Sequence, residues 1–398
     1  MDQVIELSSD KETLEDYYDM LTKVIEHIEP ILLKLETGGL PLQDVMELTD
    51  QFSREIDVIK NRAFAAHIDP ILELITALES VIDRMNDAGI ELRGTLPEAM
   101  LMILDRIVFM SEDAYRMGFI RVSSYEAVNT ALIPLLNMKK GKEFVAAEKA
   151  REFLTGGAAS LDEDVDEVIQ NEIVREAVAD LVTEKSSITP GVQPDSLKSN
   201  DDKKKERDEK LEEDLKFFKS LADEVDLIHD AWRGRTEFMM PIALGMNAIA
   251  RNCVDFYQLQ AAVYLHDVGM RFLPDELLDE KGKFTKEQRD LLRGHPGWVI
   301  DNIDLMEGWN EAAWIVYQHH EKMDGTGYPE GTSSEEVCDG AKILAICDAF
   351  YSVMARTKHR SIFRAISEIN ACQGHHFCPK WVAIFNLVIK IQTRVYGY

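Results

Sequence analysis

The sequence predicts an all-α chain: an N-terminal antiparallel helical bundle, a flexible linker, and a second helical part running to the C-terminus. Three observations carry this. Leu14, Tyr17, Tyr18, Leu21, Val24, Ile25, Ile28, Ile31 and Leu32 recur at three-and-four spacing, the stripe of an amphipathic helix. Glycine breaks alternate with prolines placed where a helix tolerates them, in the first turn. Residues 186–206 lack periodicity and gather Pro, Gly, Ser and charge.

The first helix ends at Gly38-Gly39. A second is expected from Pro41 toward Ala66, and a third from Pro70 to Ala88-Gly89, with Ile71, Leu74, Ile75, Leu78, Val81 and Ile82 on one face. A fourth starts near Pro97 and carries Met100, Ile103, Leu104, Ile107 and Met110. Short connections make these an antiparallel bundle over residues 1–140. Further helices are expected at 122–138, 142–153 and 164–184, those beyond the bundle forming a segment at 141–185. The linker is placed at 186–210. A helix near Leu211, with Leu215, Phe218, Leu221, Val225 and Ile228 on one face, opens the last part, 211–398.

Composition narrows the function. A net charge of −28 disfavours nucleic-acid and anionic-membrane partners, which require a basic surface. No apolar run is long enough to span a bilayer, and the first residues show no secretory signal. Five scattered cysteines point to a reducing compartment, so a cytoplasmic protein is expected.

The chemistry concentrates in the last part. His319 and His320 end the apolar run Ala312-Ala313-Trp314-Ile315-Val316-Tyr317 and precede Glu321-Lys322-Met323-Asp324-Gly325-Thr326-Gly327-Tyr328-Pro329. Neutral imidazole is the commonest ligand for ions such as Zn, Fe or Mn. More donors stand nearby in sequence: His266-Asp267, His295 and Asp348. Adjacent helical positions point about 100° apart, so His266 and Asp267 can address two ions if the carboxylate bridges.

In order and spacing, these segments resemble the HD-GYP family of bacterial phosphohydrolases. The match runs through His266-Asp267-Val268-Gly269, Gly294-His295-Pro296, the Gly-Tyr-Pro turn, Ala341–Phe350 and Gly374-His375-His376-Phe377-Cys378-Pro379. The resemblance implies one metal on Asp267, His295, His319 and His320. It implies a second on His266, Asp267, Asp348 and an upstream His. It also implies hydrolysis of cyclic di-GMP, with the ions activating water and Asp267 central to catalysis. Lys322, Tyr328 and Arg360 are the expected substrate contacts, and Lys342, Arg356 and Lys358 could join them in an anion pocket.

The chain also departs from the family. Near Phe238, where the upstream His is expected, the sequence reads Arg235-Thr236-Glu237-Phe238-Met239-Met240; Glu237 and His229 are the substitutes on offer. Met270 stands where the family has Lys, Thr357-Lys358-His359-Arg360 where it has Arg-Pro-Tyr-Arg, and Cys378 where it has Asp. The expected cofactor is therefore a divalent transition metal (Fe, Mn or Zn), with one ion held tightly and the second site incomplete. The expected function is a divergent signalling protein, weak or inactive toward cyclic di-GMP, acting through ligand or protein binding. The alternatives are an active phosphodiesterase completed by Glu237 or solvent, and a purely structural scaffold. A zinc site on Cys372, His375, His376 and Cys378 is a further, cramped alternative.

The bundle resembles a histidine phosphotransfer (Hpt) domain in Lys60 and Ala77-Leu78-Glu79. Asp57 stands in the phosphoacceptor's place and Asn61 in that of a Gly. An ordinary bundle is the alternative. The expected partners are a cyclic dinucleotide, a signalling protein docked on the bundle, and a second copy of the chain.

Overall fold

The structure, a computed structural model, describes residues 3–157, 198–274, 277, 284–303, 308–356 and 361–396. The chain is all-α, as its apolar spacing predicts. Among the described residues the only sheet is one pair of three-residue strands. The helices divide into two compact units.

The first unit contains α1 (Lys11–Glu36), α2 (Leu42–Ala65), α3 (Asp69–Ala88), α4 (Leu96–Met117), α5 (Val122–Leu136) and α6 (Glu143–Leu154). Asp10 caps α1 by accepting a hydrogen bond from the Thr13 amide at 2.8 Å. Pro70 and Pro97 occupy the first turns of α3 and α4, and left-handed Gly89 and Gly118 end them. Leu14, Leu21, Ile28 and Leu32 of the α1 stripe are buried. Helix α4 is apolar on every side over Ala99–Leu104, all buried, as a helical stretch enclosed by its neighbours must be. Strands β1 (Val4–Glu6) and β2 (Phe119–Arg121) pair antiparallel, Val4 opposite Arg121 and Glu6 opposite Phe119.

The second unit begins with α7 (Lys198–Asp226) and continues with α8 (Arg235–Ile249), α9 (Phe256–Leu265), a 3-10 turn (Val268–Phe272), α10 (Lys286–Leu292), α11 (His295–Ile303), α12 (Asn310–Gln318) and α13 (Asp339–Arg356). Fully buried Trp309 fixes α7 to it: the indole donates to Asp214 at 2.9 Å and meets Phe218 edge-on at 5.1 Å. Asp255 caps α9, accepting from the Tyr257 and Gln258 amides. Residues 198–210 were expected to finish a linker, but they form the first turns of α7. Their Lys, Glu and Asp content carries no apolar stripe, yet Lys and Glu are good helix formers. The rest of the linker and the expected helix at 164–184 lie outside the described residues.

The chain then crosses between units. Helix α14 (Ile362–Ala371) packs with the first unit, and α15 (Pro379–Tyr396) completes the second. A single stretch 211–398 therefore does not make one compact unit. The reason is electrostatic as well as apolar. Buried Arg364 of α14 donates to both carboxylate oxygens of Asp105, at 2.7 and 2.9 Å, and pairs with Glu29. Phe363 packs on the bundle core, under the guanidinium of Arg151. Among the described residues, no helix is long and apolar enough to cross a membrane.

Candidate metal centre

Helix ends of the second unit and the middle of one further helix bring the donors together. His266 follows the last residue of α9, and Asp267 comes next, before the 3-10 turn. His295 opens α11, just after α10. His319 follows α12, and His320 comes after it. Asp348 projects from within α13.

The last carbonyls of a helix lack backbone partners, and here imidazoles take some of them. Nδ1 of His266 bonds to the Val263 carbonyl at 2.8 Å, Nδ1 of His295 to that of Leu292 at 2.8 Å, and Nδ1 of His319 to that of Val316 at 2.6 Å. A carbonyl only accepts, so each Nδ1 carries the proton and each Nε2 keeps its lone pair. The Nε2 atoms of His266, His295, His319 and His320 are buried and have no hydrogen-bond partner. Buried polar atoms are normally satisfied, and orphans of one kind on both sides of Asp267 call for an electrophile.

The geometry agrees. The donor atoms of Asp267, His295, His319 and His320 lie within 4.8 Å of one another, and so do those of His266, Asp267 and Asp348. His295 Nε2 stands 3.1 Å from Asp267 Oδ1. At that distance the imidazole nitrogen and the carboxylate oxygen must share a proton or a metal ion. Burial pushes His319 down to about 3, helped by His295 and His266, and it lowers His266 and His320. Burial opposes ionisation of Asp267, but Arg235 and the histidines outweigh it and hold its carboxyl well below the usual range. Asp348 is raised, by burial and by Asp267. Three imidazoles and a carboxylate are a donor set that can hold a divalent metal ion.

Close approach requires glycine at two points. A Cβ on Gly269 would be driven into the His295 carbonyl, and one on Gly327 into the backbone of Glu321 and Lys322. The Gly-Tyr-Pro turn folds back on the site: the Tyr328 ring stacks on His320, centroids 4.6 Å apart, and Arg293 lies over the same ring at 5.4 Å. Glu321 pins this turn. Its buried carboxylate accepts from the amides of Glu330 (2.7 Å), Gly331 (3.1 Å) and Thr332 (3.1 Å). Lys322 Nζ lies 3.0 Å from His376 Nε2. Arg360 lies outside the described residues, as do Thr357, Lys358, His359 and the Arg356 side chain.

Residues 246–380 match the protein family described as HD domain. Over 144 residues the chain is 30% identical to a cyclic di-GMP phosphodiesterase of Thermotoga maritima, covering 35% of this chain and 39% of that protein. Over 129 residues it is 29% identical to the cyclic di-GMP phosphodiesterase response regulator RpfG of Xanthomonas campestris, covering 31% and 34%. A 3'3'-cGAMP-specific phosphodiesterase 2 of Vibrio cholerae is 30% identical over 125 residues, covering 30% and 24%. The chain carries an HD-GYP family domain. It spans well under half the length of the curated relatives it matches.

Within that HD-GYP domain, the structure answers the sequence departures. Glu237, offered as a substitute ligand, is exposed, on the side of α8 away from its buried neighbour Arg235. His229 is occupied as a cap, accepting from the Ala231 amide at 3.1 Å. Phe238 packs against Phe350 and Tyr351. Cys372, His375, His376 and Cys378 form no metal-competent group among the described residues. The sequence marked neither Glu321 nor Arg235 as a site residue. Its buried guanidinium ion-pairs with Asp267 Oδ2 and lies over Trp232 at 5.1 Å, with Nε 3.5 Å from Asp226. Trp232 and Asp226 flanking an arginine at the start of a helix were the available signal.

Proposed function

We propose that this chain is a signalling protein whose HD-GYP domain holds a divalent transition metal on Asp267, His295, His319 and His320, and which binds a cyclic dinucleotide while turning it over weakly or not at all. The observation that carries the reading is the buried, unpartnered Nε2 atoms of His295, His319 and His320 gathered beside the Asp267 carboxylate. A bound ion supplies Lewis acidity and lowers the pKa of coordinated water. The residues do the rest. The helix-end carbonyls orient the imidazoles, Asp267 adds anionic charge, and Tyr328 closes over His320. Lys322 and Arg360 are assigned to the ligand's phosphates, and His266 with Asp348 to the eroded second locus.

Weak turnover follows from what is lacking. The site has no upstream imidazole, Glu237 is turned to solvent, and Met270 offers neither charge nor proton. Removing one electrostatic contact of this kind commonly costs roughly 10²–10³ in rate. The N-terminal bundle serves as a docking surface for a signalling protein. Asp57, at the phosphoacceptor register, is tied to Lys60 at 3.5 Å, and Lys60 in turn to Glu79.

The test is cyclic di-GMP turnover and binding, with metal content measured on the same sample. Binding with turnover near background is the expected result. Robust turnover by the unmodified chain would replace this reading with that of a working phosphodiesterase.

A further inference from the structure

The second locus holds three donors, His266, Asp267 and Asp348. His266 Nε2 lies 3.8 Å from Asp267 Oδ2 and 4.0 Å from Asp348 Oδ1. For Asp267 to bridge two ions, Oδ1 must face one and Oδ2 the other. Oδ1 faces the first locus, beside His295, while Oδ2 is held by the Arg235 guanidinium. Arg235 begins α8, in the same upstream segment from which a further ligand to a second ion was expected, and it is only 4% exposed. We propose that the Arg235 guanidinium stands in for the second metal, so that this centre takes one divalent ion and one fixed organic cation.

Charge supports the substitution. Asp226, Asp267 and Asp348 surround Arg235, and all three are buried or partly buried. Three carboxylates balance one guanidinium and one divalent ion. A second divalent ion would leave a net double positive charge among largely buried groups, an arrangement that burial penalises heavily. A guanidinium cannot escape by losing its proton, since arginine stays charged in proteins. It is also held from both sides, by the Asp226 carboxylate and by the face of Trp232. Arginine has no lone pair to offer a metal, so it excludes an ion where histidine would bind one.

This inference rests on the metal reading above, and its test separates the two. The full chain is loaded with excess Mn(II), freed of loose ion, and analysed for metal per chain and by electron paramagnetic resonance. The wild type is expected to hold one Mn(II), with the resolved hyperfine pattern of an isolated ion. Arg235→Met keeps the apolar length without the charge and is expected to double the stoichiometry and give the spectrum of a spin-coupled pair. Arg235→Lys is expected to stay at one. Two ions in the wild type would overturn the inference and leave the metal reading standing, whether or not the variants fold. No ion in the wild type would overturn both. A folded Arg235→Met variant that still binds one ion would show that Arg235 only ties α8 to Asp267.

Discussion

Replacing Glu321 with alanine should loosen the Gly-Tyr-Pro turn without unfolding the domain. The Glu321 carboxylate is 3% exposed and accepts three backbone N–H groups from Glu330, Gly331 and Thr332. A hydrogen bond to a charged group contributes about 1.5–3 kcal/mol net. The three do not add in full, because the exposed end of the turn can rotate its freed amides to water. A loss of about 2–3 kcal/mol in local opening energy is the reasonable figure, which corresponds to roughly 30–150-fold faster amide exchange. Hydrogen exchange resolved at Glu330, Gly331 and Thr332 reads this directly. Glu321→Gln, keeping one acceptor oxygen, should fall between wild type and alanine. If the three amides exchange within about 3-fold of wild type in the alanine variant, less than 1 kcal/mol, Glu321 does not hold the turn and the argument fails.

Three further outcomes follow from other parts of the structure. Gly269→Ala should lower metal content in elemental analysis while circular dichroism stays helical, because its Cβ displaces the His295 carbonyl. Arg364→Met should destabilise the first unit by about 2–3 kcal/mol in thermal unfolding, a buried-pair loss discounted for the partial exposure of Glu29 and Asp105. No phosphohistidine should form on the bundle with a phosphodonor kinase or receiver domain. Acid-labile, base-stable phosphate on His27 or His67 would contradict the reading of Asp57 as an inert stand-in.

The donor set was legible in the sequence because histidines beside helix ends are conspicuous and few. The structure adds how three of them are oriented: each of His266, His295 and His319 is anchored to a carbonyl three residues back, which no periodicity reveals. Arg235 carries no sequence signal as a ligand, because it offers a charge and not a lone pair. Glu321 escaped because its partners are backbone amides nine to eleven residues on, and amides carry no sequence signal. Strands β1 and β2 are too short for an alternating pattern to emerge. The first turns of α7 had no apolar stripe to mark them. The course of α14 into the first unit depends on Arg364 meeting carboxylates 259 and 335 residues away, a distance beyond any local reading.

The central claim is that Asp267, His295, His319 and His320 hold a metal ion, and elemental analysis of chelator-free protein tests it most directly. The account predicts about one tightly held divalent transition metal per chain, reduced more by His319→Ala, which removes one of four ligands of the filled site, than by His266→Ala. A folded protein that is isolated metal-free and stays metal-free on reconstitution would contradict it.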